Sequence, residues 1–267
     1  MTYRLVALDV DGTLLDSAHT LRPRVVESVR AAQARGLVIT LATGKLLASV
    51  QPILRQLGVV GPMITLNGAA TLDAATSEPV RFAPLREDDR RAVIRTVREL
   101  DPGVLVSHFT LDRILVDHDH PRRGIFAEYG EGPPVYVPDL LAETLPPAAK
   151  ILLSGAPEQL AALRVAVTPL LEERVTITTT TPDFLEFFDP TTGKGIALRA
   201  LCETLGIARA EVVAMGDGEN DIPLFAEAGL AVAMANANEA TRAAASRIAP
   251  GNDEDGVAVV LDELMRV

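Results

Sequence analysis

Near the N-terminus, Asp9-Val10-Asp11-Gly12-Thr13 places two carboxylates one residue apart at the end of a short apolar run, residues 4–8. Such a run reads as a buried parallel strand, and side chains two apart on a strand point the same way. The two acids therefore converge beyond the strand's carboxyl edge, where open α/β sheets bind ligands. Like charges this close raise the cost of ionising both. A divalent cation removes that cost, and hard oxygen donors favour Mg2+. Gly12 permits the sharp turn that follows. Taken alone, the pair is also ordinary acidic-turn composition.

Three further clusters carry matching chemistry. Ala42-Thr43-Gly44-Lys45 lies between an expected strand, 38–42, and an expected helix, 46–57. Free helix N–H groups and the Thr43 hydroxyl favour a phosphoryl oxygen there, although Thr-Gly is equally common as a plain cap. Lys194, in Thr192-Gly193-Lys194-Gly195, precedes an expected helix at 195–205 and offers a compact charge to such an oxygen. Lys45, Lys150 and Lys194 are the only lysines in a chain that otherwise uses arginine, and two of them fall at strand–helix junctions. Gly216-Asp217-Gly218-Glu219-Asn220-Asp221 follows an expected strand at 211–215. Asp217 supplies a third carboxylate, and Asn220 and Asp221 can hold waters around a cation. The run lacks the last-position glutamate and paired helices of a calcium-binding EF-hand.

The elements that position these clusters alternate. Strands at 4–8, 38–42 and 63–66 are interleaved with helices, the first carrying Val25, Val26 and Val29, with Thr20 as its expected cap and Pro23 in its first turn. Helices at 195–205 and 222–228 and strands at 211–215 and 230–234 repeat the pattern near the C-terminus. This grammar predicts an α/β fold, a doubly wound, Rossmann-like parallel sheet built from residues 1–84 and 190–267. The middle, 85–189, reads as an inserted α+β cap of ordinary domain size. It has helices at 87–100 (stripe Val93, Val97, Leu100) and 158–171, and strands at 103–107, 113–116 and 151–154. A hairpin over 175–181 and 184–188 turns at Pro182-Asp183.

Composition narrows the function. The chain has 267 residues, 48% of them hydrophobic and 23% charged, which suits a globular protein with a sizeable core. A net charge of −11 disfavours nucleic acid and anionic membranes as partners. The lone Cys202 reads as a core residue; with no leader pattern and no long apolar stretch, a reducing cytoplasm is the expected location.

Acid pair, hydroxyl, lysine and acid at four strand ends of one sheet resemble the haloacid dehalogenase superfamily of phosphatases, in its Cof-like branch with a large α/β cap. DVDGT matches the first motif, Ala42-Thr43-Gly44 the second, Lys194 the third and GDGEND the fourth. Asn67-Gly68-Ala69, Ala235-Asn236-Ala237 and the run from Asn252 to Val257 are also similar to that branch. The resemblance implies that Asp9 attacks phosphorus and forms an aspartyl-phosphate. Asp11 then protonates the leaving oxygen and activates water, with its backbone carbonyl on the metal. Mg2+ is held by Asp9, Asp11 and Asp217, with Asn220 and Asp221 behind. Gly12, Thr43, Gly44, Lys45, Asn67 and Lys194 surround the phosphate or substrate. Lys45 departs from the arginine common there, exchanging a planar fork for a point charge. Glu186 and His108 are further candidates for the cleft; His118 and His120 read as a solvated loop.

The implied function is Mg2+-dependent hydrolysis of a small phosphomonoester, a sugar phosphate or related metabolite. A phosphosugar mutase would want more basic contacts than Arg113, Arg122 and Arg123 supply. A binding module without catalysis would not need the complete chemical set. Oligomeric state is not legible.

Overall fold

The computed structural model describes residues 3–266. The N-terminal part runs β1 (Leu5–Leu8), α1 (Pro23–Ala34), β2 (Val38–Leu41), α2 (Leu47–Leu57), β3 (Pro62–Thr65), β4 (Ala70–Asp73) and β5 (Pro79–Phe82). Helix α1 starts on Pro23, whose missing N–H costs nothing at that position. The expected cap is corrected: Arg22 occupies the cap position, and the Thr20 hydroxyl donates to the Ala18 carbonyl instead. Gly58 closes α2 in the left-handed region, φ +68°. Strand β3 touches the main sheet through one bridge, Ala42 to Ile64, and pairs antiparallel with β4. A three-stranded sheet β3-β4-β5 results, of which sequence reading had found only the first strand.

The inserted part comprises α3 (Glu87–Leu100), β6 (Leu105–Phe109), β7 (Ile114–Val116), α4 (Ile125–Glu128), β8 (Val135–Tyr136), β9 (Lys150–Ser154), α5 (Pro157–Leu171), β10 (Thr176–Thr181) and β11 (Phe184–Phe188). Its six strands form a single sheet in the order β10-β11-β9-β6-β7-β8. Val106, Ile151, Leu153, Leu185 and Phe187 pack against α3 and α5 on one face. Leu105, Phe109, Leu152 and Phe184 occupy the other. On α3 the buried stripe is Val93, Ile94 and Val97, whereas Leu100 ends the helix and is 46% exposed.

The chain then returns through α6 (Lys194–Leu205), β12 (Val212–Gly216), α7 (Ile222–Ala226), β13 (Leu230–Met234), α8 (Glu239–Ala244), β14 (Arg247–Ala249) and α9 (Gly256–Leu264). The main sheet is wholly parallel, in the order β14-β13-β12-β1-β2. Strand β1 lies between β12 and β2, so alternate residues bury on opposite faces. Val6 and Leu8 meet α1, α2 and α9, while Leu5 and Ala7 meet α6 and α7. Helices on both faces of a parallel sheet make the core doubly wound, as the sequence predicts. The crossover order places the carboxyl ends of β1, β2 and β12 side by side.

Candidate active site

Asp9 follows β1 directly, and its N–H donates to the Met215 carbonyl of neighbouring β12 at 3.0 Å. The chain then turns through Asp11 and Gly12, closing with Leu15 N–H on the Val10 carbonyl at 2.9 Å. Gly12 has φ +76°, and a Cβ there would lie 2.3 Å from Asp217 Oδ2. Only glycine lets the loops after β1 and β12 approach this closely.

Lys194 Nζ, buried at the start of α6, donates to Asp9 Oδ1 and to Asp221 Oδ1, each at 2.6 Å. Asp221 is fully buried, and its other oxygen accepts the N–H groups of Asp217 and Gly218 at 3.0 Å each. It thereby fixes the loop that presents Asp217, which also accepts the Thr13 hydroxyl at 3.1 Å. Burial and the neighbouring Asp221 charge push the Asp9 carboxyl well above its ordinary range, Lys194 pulling it back only in part. Burial and Asp221 likewise push Asp217 up to about 7. Burial disfavours charge on Lys194 too, but Asp221 and Asp9 outweigh that and raise its pKa.

Three buried or half-buried acids against one ammonium leave negative charge uncompensated. Asp9, Asp217 and Asp221 each offer an oxygen, all within 4.8 Å of one another. Those hard donors fit a divalent cation, which would relieve the repulsion.

The second loop adds the opposite wall. Thr43 is buried after β2; its N–H donates to Ile64, and its hydroxyl accepts Lys45 N–H at 3.2 Å. Lys45 Nζ lies 3.2 Å from Asp11 Oδ2 and also bonds the Tyr129 carbonyl, so it joins core to cap. His19 Nδ1 is 3.5 Å from the other Asp11 oxygen. Leu66 and Asn67 both adopt positive φ, +52° and +55°. Such sparsely populated backbone is held only by its surroundings, and here it aims Asn67 across the cleft. Asn67 donates to Glu186 Oε2 at 2.6 Å and accepts from Asn220 at 2.9 Å.

From the cap, Lys150 Nζ donates to Glu186 Oε2 at 2.7 Å and to the Gly44 carbonyl at 2.8 Å. Thr180 donates to the remaining Glu186 oxygen at 2.9 Å.

Asp9, Asp11, Gly12, Thr43, Gly44, Lys45, Asp217, Asn220 and Glu186 thus line one cleft of about 320 Å3, with Lys194, Asp221 and Asn67 bonded behind them. His108 is not among them. Alternation on β6 turns it with Val106 toward the cap helices, while its neighbour Phe109 faces the cleft. His118 and His120 sit near Asp117 and Gly103, away from the site. Sequence reasoning missed Lys150, although lysine usage held the clue. All three lysines are buried at this site, where a compact three-donor ammonium fits between carboxylates and carbonyls. It also missed the apolar cap wall of Phe109, Phe126, Tyr129 and Phe184.

A family model described as haloacid dehalogenase-like hydrolase matches residues 6–261, and the chain belongs to that family. Within it the chain is similar to the Bacillus subtilis protein named "Putative phosphatase YxeH", 31% identical over 271 residues and 98% of each chain. It is also 30% identical to the HMP-PP phosphatase of Serratia proteamaculans over 235 residues, 88% of this chain and 85% of that one. The crystal structure of a haloacid dehalogenase-like hydrolase from Bacteroides thetaiotaomicron superimposes with a TM-score of 0.83 at 26% identity, covering 98% of this chain and 99% of that one. The protein is a phosphatase, a phosphoric monoester hydrolase acting on small phosphorylated substrates. Among the described residues no helix is long and apolar enough to cross a membrane.

Proposed function

We propose that the protein hydrolyses a small phosphomonoester with Mg2+ bound at the acidic cluster, using Asp9 as the covalent nucleophile. The contact of Lys194 with both Asp9 and Asp221 carries this reading, because it fixes one Asp9 oxygen and leaves the other for phosphorus. The Asp9 carboxylate forms a bond to phosphorus as the bond to the leaving oxygen breaks. Asp11, two residues on, gives its proton to that oxygen. It then takes a proton from water, whose oxygen attacks phosphorus and releases Asp9. The Thr43 hydroxyl and the Gly44 N–H hold phosphoryl oxygens, and Lys194 offsets their charge.

Asp9, Asp217 and the Asp11 carbonyl would hold Mg2+, with Asn220 and Asp221 behind them; the ion supplies charge neutralisation to the transferring phosphoryl group. Residues 85–189 act as the cap that covers the cleft and selects the leaving group.

Phosphate release from a panel of phosphomonoesters tests the reading. Activity should vanish in excess EDTA and return with Mg2+, and acid quenching should trap a phosphorylated peptide containing Asp9. Full activity in EDTA, or in Asp9→Asn, would overturn it.

A further inference from the structure

Helix α2 has 11 residues, yet Leu46 at its cap position has no side-chain oxygen with which to close it. The closing group comes from the cap, 85 residues further along the chain. Glu131 Oε1 accepts the Leu46 N–H at 3.1 Å, and Oε2 accepts the hydroxyl of Ser49 in the helix's first turn. The turn after α4 aims the side chain there: Glu131 N–H donates to the Phe126 carbonyl at 2.7 Å, and Gly130 N–H to Ala127 at 3.0 Å. Burial raises the Glu131 pKa, and the Ser49 hydroxyl, Lys45 and the Leu46 N–H oppose that by favouring the ionised form.

Without Glu131, this N-terminus would be the place in the cleft best suited to a second anion on the substrate. It lies just beyond Gly44, whose N–H holds a phosphoryl oxygen in the phosphatase reading. Two residues of chain span at most about 7 Å, within reach of a short leaving group. The cations that line the cleft are already engaged. Lys45 faces Asp11 at 3.2 Å, Lys150 faces Glu186 at 2.7 Å, and His19 stands 3.5 Å from the other Asp11 oxygen. Among the described residues no other basic side chain lines it, and Asp16 adds a further acid. An incoming carboxylate or second phosphate therefore meets Glu131 where it would have met the helix.

Resting on the phosphatase reading of the same site, we propose that Glu131 is a specificity-determining residue, a carboxylate of the protein's own that fills the N-terminus of α2 and turns away leaving groups carrying a second anion. The selection works by repulsion. An uncharged leaving group, polyol or not, loses nothing to it. The residue belongs to the cap, so the rejection takes effect as the cap covers the cleft.

Glycerol 3-phosphate and 3-phosphoglycerate test this, because they differ only in a hydroxymethyl group against a carboxylate. With wild-type enzyme and Mg2+, kcat/KM for glycerol 3-phosphate should exceed that for 3-phosphoglycerate by about tenfold or more. Glu131→Gln keeps the volume and removes the charge, and should narrow that ratio about threefold or more. Glu131→Ala also clears the space, and should narrow it further through a lower KM for 3-phosphoglycerate. A general loss of folding or cap closure would lower both esters alike and leave the ratio standing. Repulsion from Asp16, Glu186 or the overall charge would also persist in both variants. A wild-type ratio near one, or a ratio unchanged in both variants, would overturn the proposal while leaving the phosphatase reading intact. Wild-type enzyme that turns over no phosphomonoester would strike that reading instead. In that event calorimetry with butylphosphonate and 4-phosphonobutyrate, which have no P–O–C bond to hydrolyse, decides the role of Glu131. Butylphosphonate should bind wild type more tightly, with the preference narrowed in Glu131→Ala. Equal affinity of wild type for the two, or a preference unchanged in Glu131→Ala, overturns the proposal.

Discussion

Lys150 and Glu186 form a buried ion pair, 2.7 Å long, between adjacent cap strands β9 and β11, and each also reaches into the core. Lys150 holds the Gly44 carbonyl of the loop after β2, and Glu186 holds Asn67, which holds Asn220 beside Asp217. Four hydrogen bonds among five groups thus tie the cap to the loops that carry Gly44, Asn67 and Asn220. A buried pair of this kind is costly to break on one side, because the survivor keeps its charge in a poor solvent.

Lys150→Met should therefore destabilise the protein by about 3–5 kcal/mol. Releasing Gly44 should also lower kcat/KM by up to about 100-fold, the cost of a small misplacement at a reacting site. In the double variant Lys150→Met/Glu186→Leu, part of the stability should return, since no lone charge remains. Denaturant midpoints for the two singles and the double check this. A double variant as unstable as the sum of the singles would mean that the pair is not coupled.

Lys194→Ala poses the same problem at the acidic cluster, with a worse outcome. Asp9 and Asp221 would be left facing each other without the ammonium that both contact at 2.6 Å. A loss of about 3–5 kcal/mol is expected in metal-free buffer, and thermal midpoints with and without Mg2+ should measure it. Added Mg2+ should restore part of the stability but not the turnover. Midpoints equal to wild type in metal-free buffer would refute the assignment of Lys194 as the counter-charge.

Four of the five main-sheet strands, β1, β2, β12 and β13, were legible because their signals are local: apolar runs of four or five residues alternate with helical periodicity, whereas the three-residue β14 was not found. Asp9, Thr43 and Asp217 could be placed at strand ends on that basis, whereas Lys194, expected at a fourth strand end of the same sheet, instead opens α6 after cap strand β11. The cap yielded less, since its meaning depends on register between distant strands. Lys150 opens an apolar strand and reads as an edge residue until β9 is seen paired with β11, which sets it against Glu186. His108 and Phe109 differ by one position, and one position exchanges the cleft face for the helix face. Strands β4 and β5 escaped notice because Pro79 and the turn at 74–78 dilute an already short alternation.

Asp11→Asn separates proton transfer from binding. The amide is nearly isosteric and can still receive Lys45, 3.2 Å away in the wild type, but cannot donate a carboxyl proton or accept one from water. A fall in kcat of about 10²–10⁴-fold is expected, with KM changed far less, because no phosphate contact is removed. A rise in KM at unchanged kcat would place Asp11 in binding instead.

His108 gives the cap an acid-sensitive core. Its imidazole is buried on the helix face of β6. Burial, reinforced by the Arg90 charge, lowers its pKa to about 4, against weaker opposition from Glu87 and the backbone of Pro146 and Pro147. In the unfolded chain the ring titrates near 6.5. Between those values the unfolded state binds the extra proton, so stability contributed by neutral His108 is complete above about pH 6.5 and is lost as pH falls toward 4. The full loss is on the order of 3 kcal/mol. Other groups titrate in the same range, so the informative quantity is a difference between variants. His108→Leu cannot take up that proton, and its denaturation midpoint should fall less steeply than wild type from pH 6.5 to 4.5. Parallel slopes would show that the imidazole reaches solvent or a proton acceptor in the folded state, and that acid weakens the cap, if at all, through its carboxylates.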